Sequence, residues 1–194
     1  MNSLDPRSLI AMGGLMALVM VVVLGFTWRY YPPRIFGIGY WALAPAAMLG
    51  AAIFFGVSAP WYPEVWRWVA NALIVLGFVL FHVGFRRFYG HPAGWRPILV
   101  LYGLTMLLVA WYAAVDPSYR MRVAVVTGAI AVVHIASLVF LLRNGNRSVP
   151  VRMVQVTLVL HLCVLLVRMW TVLSEGDGGN LLEASAIQTF YLGA

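Results

Sequence analysis

Lysine is absent from this 194-residue sequence; all thirteen basic residues are arginine, against only six acidic ones. Cysteine occurs once, at Cys163, which excludes an internal disulfide and any CxxC metal motif. Charged residues of every kind make up 10% of the chain. No hydrophilic stretch is long enough for a soluble domain or an internal linker, and no convincing internal repeat is present. The formal charge of +7 would suggest nucleic acid in a soluble protein. Here the arginines sit in short loops between apolar runs, where they orient helices in a bilayer, so nucleic-acid binding is set aside.

What fills the chain instead is apolar. Hydrophobic residues make up 63% of it and the mean hydropathy is +0.90, well outside the range of soluble domains. Runs of about 20 apolar residues can cross a hydrocarbon core roughly 30 Å thick. Six such spans are expected at about 9–28, 36–57, 65–84, 97–114, 121–142 and 151–173, and a seventh starts near 181 and is cut off at 194. The breaks carry turn and helix-stop residues: YYPPR, SAPWYPE, YGHPAGWRP, VDPSYR, RNGNRSVP and SEGDGGN. Residues 1–194 are therefore expected to form one all-α, polytopic transmembrane bundle. The leader MNSLDPRS has no net charge and the first run ends in TWRYYPPR, so a retained helix is expected rather than a cleaved signal peptide.

Sorting charges by side gives an orientation. Arg29, Arg34, Arg86, Arg87, Arg96, Arg143, Arg147 and Arg152 share one side with no acidic residue. The other side holds Asp5, Glu64, Asp116, Glu175, Asp177 and Glu183, with Arg7, Arg67, Arg120, Arg122 and Arg168. The expected N-terminus is outside. The eight tryptophans fall near span ends, as an interfacial belt requires, and the WYPEVWRW segment reads as part of that belt.

Several stretches carry a resemblance: SLDPRSL entering the first helix, ANALIVLGFVLFHVGFRRFYG as the third, VDPSYRMRV between the fourth and fifth, and an arginine late in the sixth. Together they resemble the seven-helix membrane sensor region at the N-terminus of many bacterial GGDEF-type diguanylate cyclases, over essentially all 194 residues. The resemblance implies a bacterial inner-membrane signal-input module. Its seventh helix would lead to a cytoplasmic domain that condenses GTP into cyclic di-GMP, and it would self-associate, because that enzyme works as a dimer. No GGDEF sequence occurs here, so no catalytic residue is assigned, the chain itself is not expected to be an enzyme, and its end suggests a piece of a longer protein.

Ionisable and polar residues inside spans are costly and face the bundle interior or a wet cavity. His134 lies nine residues before Arg143 and His161 nine after Arg152, so both sit roughly 13 Å above the inner arginines. A second layer nearer the outside gathers Asn71, Thr127, Arg168 and Gln188. His161 and Arg168, seven apart, share a helical stripe, as do Thr127 and His134. For the outer layer the structural expectation is that Arg168 snorkels to headgroups or is held by Asn71, Gln188, helix carbonyls or Glu183. The functional one is a ligand pocket with Arg168 as its anion or carbonyl anchor.

For His134 and His161, hydrogen bonds to Ser137, Thr157 or backbone carbonyls stand against ligation of a b-type haem or a metal. Cys163 lies about 200° around the helix from His161 and cannot easily join such a site. No cofactor is otherwise expected. His82, four residues before Arg86, and His91 in the loop read as interfacial, and Pro45 is expected to bend the second helix. Three functions follow: a sensor module for a cyclase, a haem- or metal-based sensor, or an accessory subunit of a larger membrane complex. Its partners are membrane lipids and an unidentified small-molecule signal.

Overall fold

Each of the first six apolar runs becomes one helix in the computed structural model of the chain, which describes residues 6–32, 35–56 and 63–174. The helices are α1 (Pro6–Tyr30), α2 (Ile38–Gly56), α3 (Pro63–Phe88), α4 (Trp95–Ala114), α5 (Tyr119–Asn144) and α6 (Val149–Ser174). All six are long and apolar enough to cross a membrane, and no strand occurs among the described residues. The expected start of a seventh helix lies outside those residues.

Local chemistry sets the ends. α3 opens on Pro63, whose missing N–H is no loss in a first turn, and it closes with Arg86 and Arg87 before Gly90 turns the chain at φ +75°. α5 is capped by Ser118, whose hydroxyl accepts from the Met121 N–H at 3.3 Å. α2 continues through Pro45, which has no N–H to offer the Trp41 carbonyl one turn earlier.

α1 packs on α2 and α2 on α3; α3, α4 and α5 touch one another; α6 packs on α5. The centre is a stripe on α3, Val75, Val79 and Val83, meeting Met106 and Val109 of α4 and Ile130 and Val133 of α5. Large apolar side chains such as Leu15, Met16, Val100, Leu107, Leu160 and Trp170 point outward. Such a surface suits lipid, and lipid removes the hydrophobic drive for helix association, so close packing and hydrogen bonds must hold the bundle.

The α2–α3 seam uses close packing. A Cβ on Gly84 would collide with the Trp41 indole, and Gly37, at φ +108°, approaches so near that a Cβ there would lie 2.6 Å from the Gly84 carbonyl oxygen. Trp41 fills this seam between Phe85 and Phe88, at ring separations of 5.5 and 5.2 Å. The α3–α4 seam uses hydrogen bonds: Tyr102 Oη donates to the Ala72 carbonyl at 3.2 Å and Trp68 Nε1 to that of Met106 at 3.3 Å.

Candidate functional site

α5, like α3, is touched by three other helices, and its buried polar residues Thr127, His134 and Ser137 recur at three- and seven-residue spacing on the inward side. A buried polar group without a partner costs about 1–3 kcal/mol, so each of these positions calls for a hydrogen bond. His134 Nδ1 donates to the Ile130 carbonyl, one turn back, at 2.9 Å. Its Nε2 stands 2.9 Å from Nδ1 of His161 on α6. The rings meet edge to face, 4.6 Å apart at 89°, and Phe78 of α3 covers both, at 5.0 Å from His134 and 5.5 Å from His161.

The partners fix the proton positions. A carbonyl only accepts, so His134 carries its proton on Nδ1, and in the neutral ring Nε2 is an acceptor. His161 must then donate through its own Nδ1. Ser137 spends its hydroxyl proton on the Val133 carbonyl at 2.7 Å, so the 2.9 Å contact from His82 Nδ1 is a donation to the serine oxygen. All three neutral imidazoles are thus Nδ1–H tautomers.

Two sequence expectations change here. His82, expected at the interface, is buried within the bundle, 8% exposed and bonded across it to Ser137. α3 runs on to Phe88, so Arg86 and Arg87 take the end of the helix and leave His82 facing α5. Nor does Thr157 serve the histidines; it is exposed and donates to the Met153 carbonyl of its own helix at 3.0 Å.

The pair also bears on haem or metal ligation. Metal–imidazole bonds are about 2.0 Å long, so two histidines on opposite sides of an iron hold their nitrogens about 4 Å apart. At 2.9 Å, and bonded to each other, His134 and His161 leave no room for an iron between them. Cys163 is exposed, and among the described residues no cluster of three or more His, Cys, Asp or Glu could hold a metal ion. As arranged, these residues do not fit a haem or a metal.

The outer layer follows from the same geometry. Thr127 is seven residues before His134, Arg168 seven after His161, and Asn71 seven before Phe78. With Phe78, His134 and His161 in contact, all three lie at one level, roughly 10 Å from the histidines. Among the described residues no hydrogen bond joins them. Asn71 Nδ2 donates to the Arg67 carbonyl at 3.0 Å. Thr127 is 2% exposed. Arg168 is half-buried, close enough to the Tyr119 phenol to interact electrostatically, and Tyr119 also feels Arg122. Gln188 lies outside the described residues.

Two participants were not singled out from sequence. Phe78 lies on the helical stripe of Asn71 and His82, a spacing that could have revealed it. Tyr119 sits inside VDPSYRMRV, next to the loop.

α6 is fastened to α5 at three depths. Arg120 donates to the Leu173 carbonyl at one end, the two histidines meet in the middle, and Gln155 Nε2 donates to the Leu141 carbonyl at 3.2 Å toward the other end. No protein-family model, curated protein or solved structure matches the chain.

Proposed function

We propose that this chain is the signal-input module of a bacterial diguanylate cyclase-type sensor, set in the inner membrane with its N-terminus outside. The observation that carries the reading is the hydrogen-bonded polar face shared by α3, α5 and α6 in an otherwise apolar bundle. Apolar side chains would pack α6 on α5 without polar atoms in hydrocarbon, and polar groups kept within spans mark functional interiors.

Three separate polar contacts hold α6 in one register on α5. Sliding or rotating α6 exchanges these contacts for others, which gives the discrete alternatives that switching requires. A signal acts only if it binds one arrangement better than the other. Asn71, Thr127 and Arg168 offer an amide, a hydroxyl and a guanidinium at one level, a set suited to a carbonyl or anionic group. The shift then passes along the chain beyond α6, through a seventh helix, to a paired GGDEF domain.

The test joins the chain to a GGDEF cyclase domain and measures cyclic di-GMP in cells for the parent, Arg168→Ala and Asn71→Ala. Altered basal output or a lost response in either variant is expected. Unchanged output and response in both, with normal membrane levels, would remove the outer layer from the mechanism.

A further inference from the structure

One end of the bundle gathers positive charge, with no acidic residue beside it among the described residues. Arg29, Arg87, Arg96, Arg143, Arg147 and Arg152 are exposed at helix ends on this side, and Arg86 is partly buried among them. Among the described residues the acidic ones are Glu64, in the first turn of α3, and Asp116, just after α4, both at the opposite ends of their helices. Among the described residues, no carboxylate therefore neutralises these guanidiniums from within the same end.

Two of the arginines are held in place by the fold. Arg86 Nε donates to the Pro92 carbonyl at 2.8 Å while its guanidinium lies over the Phe140 ring at 5.8 Å. Arg87 lies over the Phe36 ring at 6.0 Å. Around Phe140 this brings the α3–α4 connection against the end of α5, three residues before Arg143. Arg143, Arg147 and Arg152 then follow along the α5–α6 turn.

Because all six described helices are of spanning length, this end lies at the level of lipid headgroups. Arginine, used here to the complete exclusion of lysine, offers a planar fork that takes two phosphate oxygens at once. We propose that the arginine-rich end is a binding surface for acidic phospholipids, with Arg143, Arg147 and Arg152 gripping headgroup phosphates beside the site that Arg86 and Phe140 brace.

The experiment uses the full chain in nanodiscs of phosphatidylcholine, with and without phosphatidylglycerol. Lipids retained after release are counted by native mass spectrometry, and thermal unfolding is followed in parallel. The wild type is expected to retain phosphatidylglycerol from an equal mixture and to unfold at a higher temperature when it is present. Arg143→Gln, Arg147→Gln and Arg152→Gln are each expected to lower that preference about fivefold. High salt should weaken it in the unaltered protein, which keeps the test independent of variant folding. Equal retention of both lipids by the wild type would overturn the proposal. So would stabilisation by inorganic phosphate in pure phosphatidylcholine nanodiscs equal to that given by phosphatidylglycerol.

Discussion

The histidine pair is a case in which one side chain decides the state of another. Leucine in place of His161 leaves His134 Nε2 as a buried acceptor without its donor, at a cost of about 1–3 kcal/mol. Changing both residues to leucine removes both polar groups, so His134→Leu with His161→Leu is expected to cost less than the two single changes added together. Reversible unfolding in bicelles measures all four corners of this cycle, and strict additivity would contradict the bond. Nitrogen-15 spectra of histidine-labelled protein should also give Nδ1–H signatures for His82, His134 and His161. Counting from the loop arginines was enough to put His134 and His161 at one level, because helix rise is constant. It could not identify the partner of His82, since Ser137 lies fifty-five residues away and depth alone does not say which helix is the neighbour.

At the scale of the helix, the seams differ in what they tolerate. The α2–α3 seam depends on an absent side chain at Gly84, against which the Trp41 ring is laid. Gly84→Ala is expected to destabilise the fold by about 1–3 kcal/mol through overpacking, although alanine favours helix. Adding Trp41→Val should recover much of the loss, and thermal unfolding of the single and double variants checks both statements. Failure of the second change to relieve the first would mean that the indole is not the obstacle. The apolar runs made the existence of these helices legible, while the choice of neighbours was not, because lipid-facing and core-facing residues are equally hydrophobic here. Small and polar residues supply that information, and Gly84 shows it only once Trp41 is beside it.

For the molecule as a whole, the uneven arginines predict an orientation that chemistry can read. With Cys163→Ser as background, Arg147→Cys should be labelled by a membrane-impermeant maleimide only when the cytoplasmic side is opened. Pro117→Cys, in the exposed loop between α4 and α5, should react in intact cells. The reverse pattern would invert the proposed topology. The native Cys163 is itself a depth gauge: exposed on a spanning helix, it should accept a lipid-soluble thiol reagent and resist a charged one.

Every donor in the histidine pair points the same way, from His161 toward His134 and on to the Ile130 carbonyl, so at this depth the α5–α6 seam is electrically one-sided. Its acceptors are filled from α5 outward, and the remaining lone pair is on Nε2 of His161, at the α6 end of the chain. A hydrogen-bond donor reaching this depth can therefore join the chain from only one end, and it would do so without breaking any bond that holds the two helices together.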